Sequence, residues 1–300
     1  MRWKIAFSYL AVFVLVALMM ALLPTHEWMA WEPAVVIPIC ALLFTLLVYL
    51  SATLADTGHL PLGIMGTALF LMLFFPGAEN FFARDEVAMM ELSSQCIVTF
   101  FIGQYNRVSR KDYRHGYFLM LLMGIFCSYT HDGITLPLCA GFLWMAVLHR
   151  DSFFRTACWP MVVGFVIGTS LSIWQHLSTG QNDIPSGIEG MLTRTGEILI
   201  LLWDTKVFIL SAALTSYLSV SRWGRQLLVK TFREQTLLCC CAMFSYLVLP
   251  FAPLGLENAV TGVCFFSMYW ALILSKAVYE KLRLARGHRQ HGASDGGLMT

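Results

Sequence analysis

The residue pair best suited to chemistry is His131–Asp132, which precedes Gly133 between two apolar segments. The apolar halves on either side, 116–129 and 134–148, each cover only about 21–23 Å of a roughly 30 Å hydrocarbon core. We therefore expect the pair to lie recessed below the outer membrane surface. A recessed imidazole and carboxylate could supply a general base, or bind a cation or a sugar hydroxyl. The alternative is a polar hairpin turn that locally thins the bilayer.

A second set of polar residues recurs every four positions in the apolar segment 87–105. Glu91, Gln95, Thr99 and Gly103 would share one face of a helix. Such a face should point into the bundle or into a wet cavity, because lipid cannot solvate it. Glu91 and Gln95 are candidate substrate-binding residues, and interhelical hydrogen bonding is the alternative.

Three charged residues, Arg84, Asp85 and Glu86, stand just outside the same segment. A carboxylate pair beside an arginine could position a polar ligand or a metal, so Asp85 and Glu86 are catalytic candidates and Arg84 a substrate-binding candidate. The common alternative is a cluster of interfacial charges. We assign no cofactor and no metal-ligand set, and we leave a divalent metal open.

Arg194 follows a polar loop and is one of the few basic residues expected on the outer side. A guanidinium group matches the geometry of phosphate oxygens, so Arg194 is a candidate for binding a lipid phosphate or pyrophosphate. Pairing with Glu189 or Glu197 explains it equally well.

Asp204 and Lys206 leave two possibilities for the eighth span. Either the span starts at Glu197 and buries both charges, or residues 188–203 form an interfacial helix and the span begins near Thr205. We slightly favour the second, in which Lys206 can extend its ammonium to the interface.

These residues belong to a chain whose composition is that of a membrane protein. Of its 300 residues, 58% are hydrophobic and 13% charged, and the mean hydropathy is +0.67. Soluble domains carry about 25% charged residues, so this composition excludes a soluble enzyme, a nucleic-acid-binding protein and a secreted disulfide scaffold. The nine cysteines fall in or beside apolar runs, where we expect them to pack between helices.

The apolar runs predict an all-α, polytopic transmembrane bundle of about ten spans, because backbone groups in lipid must be satisfied within a helix. We expect a transmembrane domain over 1–282 and a basic, disordered cytoplasmic tail over 283–300, with the N-terminal run kept as the first span rather than cleaved. The predicted segments are 4–23, 33–54, 60–77, 87–105, 115–130, 133–149, 157–175, 198–220, 236–252 and 259–276.

The charges predict that both termini are cytoplasmic. With ten spans threaded from a cytoplasmic N-terminus, 17 of the 20 Lys and Arg residues fall on the cytoplasmic side. Only Arg84, Arg194 and Lys206 fall toward the other side. This bias is the positive-inside pattern and favours an even number of spans.

The middle of the chain resembles a known group. The ordered set consists of GIFCSYTHDGITLP at 124–137, GFVIG at 164–168, a polar Gly/Pro loop and Arg194. It is similar to a region of bacterial polytopic inner-membrane proteins related to GT-C-like glycosyltransferases, over about residues 120–195. The resemblance implies a bacterial inner-membrane location and chemistry on surface polysaccharide or lipid-linked sugar at the periplasmic face. It also implies a polyprenyl phosphate sugar as donor, with membrane lipid and no nucleic acid as partners.

In the mechanism that the resemblance implies, Asp132, assisted by His131, or Asp85 with Glu86, deprotonates the acceptor hydroxyl, and Arg194 or Arg84 holds the departing phosphate. A transporter or flippase for a glycan lipid or small solute explains the same residues, and so does a non-catalytic scaffold subunit. The polar candidates crowd the outer half of the predicted spans, which favours outer-face chemistry over transport. The sequence leaves the oligomeric state open.

Overall fold

A computed structural model describes residues 2–22, 33–74, 86–109, 116–129, 132–148, 158–178, 187–203, 205–248 and 256–295. Every regular element in these ranges is an α-helix, which confirms the all-α prediction. The helices are α1 (Arg2–Leu22), α2 (Pro33–Leu54), α3 (Pro61–Phe74), α4 (Glu86–Ser109), α5 (Tyr117–Ser128), α6 (Asp132–Leu148), α7 (Cys158–Ser178), α8 (Gly187–Trp203), α9 (Lys206–Val220), α10 (Arg222–Glu234), α11 (Thr236–Val248) and α12 (Leu256–Asp295).

Each predicted apolar segment overlaps a helix, but the helices differ in their capacity to cross a membrane. Within the described ranges, four are long and apolar enough by length and composition, namely those spanning Trp3–Leu22, Val35–Leu54, Cys158–Gln175 and Val260–Arg283. The helices α8 and α9 count as a fifth span if the bent pair is taken as one. Four further apolar helices, α3, α5, α6 and α11, are shorter.

The predicted segment 198–220 is not one continuous helix. The chain bends by 88° between α8 and α9, and Thr205 at the break has an extended backbone (φ −89°, ψ 109°). This agrees with the second possibility raised by the sequence, a helix that ends near residue 203 and a new one that starts after Thr205. Asp204 lies outside the described residues.

One end of the bundle gathers basic residues from distant parts of the chain. Arg107 and Gln235 line a common cavity with the last turn of α2, and Lys276 pairs with Asp56 just after that turn. The beginnings of α5 and α7 lie here too, since Tyr117 packs on Trp159 and Cys158 contacts the Tyr105 carbonyl near the end of α4. We call this the basic end, defined by Arg107, Lys276 and α10. Helices α2, α4 and α12 all run toward it and are therefore parallel.

Asp56 is the residue that joins α2 to α12 at the basic end. It has a left-handed backbone (φ 56°), a conformation that Asp tolerates better than most residues. Its carboxylate accepts a hydrogen bond from Lys276 Nζ at 3.0 Å and contacts His59. Partial burial by itself would raise the pKa of the Asp56 carboxyl, but the hydrogen bonds and charges of Lys276 and His59 outweigh it and lower the pKa. The carboxyl is therefore ionised at neutral pH.

Glycines allow α5 and α7 to pack backbone against backbone. A Cβ atom at Gly164 would overlap the Leu121 carbonyl oxygen, and one at Gly124 would overlap that of Met161. One turn further along, a Cβ at Gly168 would overlap the Ser128 hydroxyl. Small residues four apart permit this close approach, and the rising register shows that the two helices are parallel.

The cysteines and the C-terminal helix bear on two further expectations from the sequence. None of the nine cysteines forms a disulfide and eight are buried, which confirms that they pack within the apolar interior. The helix α12 runs through the 282/283 boundary, where a disordered tail was expected to start, and continues to Asp295. Lys281, Leu282 and Arg283 are strong helix formers, so the helix has no local reason to stop there.

The α5–α7 contact generates a prediction. We expect Gly164→Ala to lower the melting temperature of the protein in detergent strongly, because the added methyl would push against backbone atoms, and overpacking costs about 1–3 kcal/mol. Gly66→Ala in α3 is the matched control, since no atom lies within 4 Å of the added Cβ. It should be neutral or slightly stabilising because Ala favours helix. Equal melting temperatures for the two variants would contradict the close packing.

Candidate functional site

The structure describes some of the predicted site residues completely, some only in their backbone and some not at all. Three of them, His131, Asp85 and Arg84, lie outside the described residues. Asp132 starts α6, Glu86 starts α4 and Glu91 follows in α4, each with its backbone described and its side chain not. Gln95 and Arg194 are described completely.

Thr99 lies on the predicted polar face of α4 and is buried. Its hydroxyl contacts the Tyr269 phenol of α12, and the same phenol also contacts α2. The Tyr269 hydroxyl of α12 is 2.7 Å from Thr99 Oγ1 and 2.8 Å from Ser51 Oγ of α2. All three side chains are buried. We call Ser51, Thr99 and Tyr269 the hydroxyl cluster. Each oxygen can donate to one neighbour and accept from another, so the cluster satisfies groups that would be costly alone in an apolar interior.

Gln95 lies one helical turn before Thr99, about 6 Å along α4, and is fully buried. Among the described residues, neither its Oε1 nor its Nε2 atom has a hydrogen-bond partner. Leaving a buried polar group unsatisfied costs about 1–3 kcal/mol, so this amide is poorly suited to a purely structural role. A side chain of this kind is suited to binding a polar group that enters the bundle.

On the other side of the hydroxyl cluster a cavity of about 390 Å³ opens toward the basic end. Thr99 lines it, so the cavity begins where the cluster ends. Its other lining residues come from α2, from the second half of α4 and from the turn before α11: Tyr49, Leu50, Thr53, Leu54, Phe100, Gly103, Gln104, Asn106, Arg107 and Gln235. We call it the basic-end cavity. The sequence was expected to carry its polar candidates mainly in the outer half of the predicted spans, and the structure adds a cavity toward the basic end that several polar side chains line.

The start of α6, at Asp132 and Gly133, lies against α12. A Cβ atom at Gly262 would overlap the Gly133 carbonyl oxygen, so the start of α6 touches α12 at this glycine. Because α12 begins at Leu256, about 9 Å of helix extends beyond the contact. This agrees with a tip that is recessed relative to its neighbour.

The backbone of Glu91 and the start of α6 lie at nearly the same depth along the bundle, as helix geometry indicates. Glu91 precedes Thr99 by eight residues, about 12 Å along α4, and Gly262 precedes Tyr269 by seven, about 10 Å along α12. Since α4 and α12 are parallel and joined at Thr99 and Tyr269, the two positions lie at nearly the same depth. The structure thus supports a common level for Glu91 and Asp132 through their backbones.

Arg194 differs from its expected place at the end of a loop. It lies inside α8, a helix that packs on α12, and its side chain is only 6% exposed. A charge buried to this degree requires compensation from polar or charged groups. A helix over 188–203 was the slightly favoured of the two possibilities raised by the sequence, but the burial of Arg194 within it was not expected.

Tyr269, Ser51 and the basic-end cavity were missed by sequence reasoning. In the sequence, Ser51 and Tyr269 are ordinary residues of apolar helices. Only the contact between their hydroxyls in the structure indicates a role for them. Gln104, Asn106 and Arg107 offered a weak signal, because they continue the polar character of α4 past Gly103. Among the described residues, no group of three or more His, Cys, Asp or Glu side chains could hold a metal ion.

Comparisons with protein-family models, curated proteins and solved structures found no match for the chain. The similarity to proteins related to GT-C-like glycosyltransferases therefore stays a prediction from short motifs.

The hydroxyl cluster predicts a stability effect. We expect Tyr269→Phe to lower the melting temperature in detergent, because the Ser51 and Thr99 hydroxyls lose their shared partner at a cost of about 1–3 kcal/mol. Tyr217→Phe is the control: its side chain is 69% exposed and should tolerate the change. A Tyr269→Phe melting curve that coincides with that of the control would argue against the cluster.

Proposed function

We propose that the chain is a multi-pass protein of the bacterial inner membrane, with about ten crossings and both termini in the cytoplasm. The clustering of Arg107, Lys276 and α10 at one end supports this orientation, because positively charged segments are retained on the cytoplasmic side. In this arrangement the basic-end cavity faces the cytoplasm. The turn at Gly133 lies toward the periplasm.

Within that membrane the chain acts as a transporter or flippase for the polar part of a glycan lipid or for a small polar solute. The observation that carries this proposal is the buried amide of Gln95, which lacks a hydrogen-bond partner among the described residues. We use the name polar axis for the line that runs from Gln95 through the hydroxyl cluster to the basic-end cavity. The backbone position of Glu91 is one helical turn before Gln95. A row of polar groups between α2, α4 and α12 costs stability, which is expected of a substrate path.

The axis is open at one end and closed in the middle. The basic-end cavity admits polar groups as far as Thr99, and the hydrogen bonds of Tyr269 to Ser51 and Thr99 close the path there. These two hydroxyl hydrogen bonds are individually weak, about 0.5–1.5 kcal/mol each, so the closure can be exchanged for contacts with a substrate. Access from one side at a time is what an alternating-access carrier requires.

Glycosyl transfer at the periplasmic face is the second candidate. The contact of Gly133 with Gly262, which brings the Asp132 turn to the depth of Glu91, favours it. Asp132, with His131, would then act as general base toward an acceptor hydroxyl, and Arg194 would hold the phosphate of a polyprenyl phosphate sugar. Arg84, Asp85 and Glu86 are the alternative residues for these roles.

Thiol labelling tests the polar axis without knowledge of the substrate. We expect Gly103→Cys to react with a membrane-impermeant maleimide in inside-out vesicles and not in right-side-out vesicles, since Gly103 lines the basic-end cavity and has room for a side chain. Gln95→Cys should react from the opposite side or from both. Val98→Cys, on a buried apolar face of the same helix, should react from neither.

The wild-type protein serves as the blank for this labelling, because eight of its nine cysteines are buried. If Gln95→Cys is inert from both sides while Gly103→Cys reacts, no path passes Gln95 and the transporter proposal fails.

The leaflet in which lipid-linked sugar accumulates separates the two functions. In cells that depend on the chain, a transport defect in Gln95→Leu should leave polyprenyl-linked sugar in the cytoplasmic leaflet, protected from an impermeant oxidant. A transfer defect in Asp132→Asn should leave it in the periplasmic leaflet, where the oxidant reaches it. Mass spectrometry of the lipids before and after oxidation gives the measurement, with Gly66→Ala as control. Unchanged surface glycan and lipid pools in Asp132→Asn would exclude the glycosyl-transfer role.

A further inference from the structure

A wedge-shaped groove lies between α9 and α11, away from the polar axis. Both helices pack on α12, and they touch near one end, where the rings of Phe208 and Tyr246 are 5.9 Å apart. Toward the basic end they separate, and α10 bridges the gap as it connects α9 to α11. The space enclosed is about 740 Å³. This volume lies within the usual range of small-ligand sites, about 300–1,000 Å³.

The floor and walls of the groove present an apolar surface. The polar side chains of the floor bond to one another: Trp270 Nε1 donates to Thr215 Oγ1 at 3.0 Å, and the Tyr246 hydroxyl is 3.0 Å from Ser267 Oγ. The walls add apolar side chains from α10 and α11, of which Val229 and Met243 are more than half exposed. Because the Thr215, Tyr246 and Ser267 hydroxyls and the Trp270 indole already have partners, this part of the groove is suited to a hydrocarbon chain.

At the basic end the groove continues into a charged pocket that is formed entirely by the exposed side of α10. A second cavity of about 490 Å³ is lined by Arg225, Gln226, Val229, Lys230, Arg233 and Glu234. Val229 and Arg233 line both cavities, so the two spaces are contiguous. Glu234 pairs with Lys230 at 3.7 Å, while Arg225 and Arg233 make no ion pair with any described residue. Two guanidinium groups are thus left to meet an anion at the mouth of an apolar groove.

The sequence of α10 explains why its basic side chains face away from the bundle. Gly224 and Thr231 are its buried residues and face the bundle, and Ser221 caps its first turn by accepting a hydrogen bond from the Gly224 backbone N–H at 3.0 Å. Its Arg and Lys side chains lie on the exposed side. A short amphipathic helix with this division lies in the membrane interface, where basic side chains reach lipid phosphates.

We propose that this groove binds an anionic phospholipid of the surrounding bilayer, with one acyl chain between α9 and α11 and the phosphate on Arg225 and Arg233. The apolar groove and the basic pocket share a wall, and their order matches the order of tail and headgroup in a phospholipid. A zwitterionic lipid would fill the groove but would gain less from the two guanidinium groups, since its headgroup carries a compensating positive charge. The site lies on the leaflet occupied by α10 and is separate from Gln95 and the hydroxyl cluster.

Native mass spectrometry of the full chain in a non-ionic detergent tests this site, with phosphatidylglycerol and phosphatidylcholine of equal chain length as probes. We expect the wild-type protein to retain one phosphatidylglycerol in preference to phosphatidylcholine. The double variant Arg225→Gln/Arg233→Gln should weaken that retention roughly 30-fold, as removal of two interfacial charges predicts. The control variant Lys281→Gln/Arg283→Gln removes two exposed basic residues of α12 that line neither cavity, and it should bind like wild type.

A second variant tests the acyl-chain groove independently of charge. Ala212→Trp fills the groove from α9 and leaves Arg225 and Arg233 in place, so it should weaken retention of both lipids. Circular dichroism and a melting curve establish that each variant is folded, and a shift in melting temperature on adding phosphatidylglycerol gives an independent readout. Equal loss of binding in the α12 control would overturn the proposal in favour of general charge attraction. Undiminished lipid binding by Ala212→Trp would show that the groove does not hold the acyl chain.

Discussion

The burial of polar groups in an interior without water is the constraint on which this structure depends. The hydroxyl cluster meets it directly, because Tyr269 gives Ser51 and Thr99 a partner and in doing so joins α12 to α2 and α4. The three helices run parallel toward the basic end, and this junction links them. It also fixes the relative depth of everything else on them, from Glu91 at one end to Lys276 at the other.

Gln95 departs from that rule and is informative for that reason. One turn away from a cluster in which every hydroxyl is paired, its amide has no partner among the described residues. Packing alone would be served better by Leu at this position, since an apolar side chain of similar size carries no desolvation cost. In the proposed transport path this amide meets the polar substrate, and the basic-end cavity leads the substrate as far as the hydroxyl cluster, which must open before Gln95 is reached.

The helices use two opposite kinds of contact, and each has a consequence for function. Glycines bring α5 and α7 into backbone contact, as do Gly133 and Gly262 where α6 meets α12. In contrast, α9 and α11 leave a groove over α12 that α10 partly closes. The close contacts position the start of α6, whereas the groove is the site proposed for bilayer lipid.

The sequence by itself determined the helical class, the approximate position of the apolar helices apart from the break within 198–220, and the face of α4 that carries Gln95 and Thr99. These follow from local chemistry, namely hydropathy and the helical period. Only the tertiary structure decided that Thr99 meets Tyr269, that Arg194 is buried within α8 and that a cavity opens at Arg107. The reason is physical: periodicity tells which face of a helix is polar, but the partner of that face lies on another helix, 170 residues away for Thr99 and 218 for Ser51.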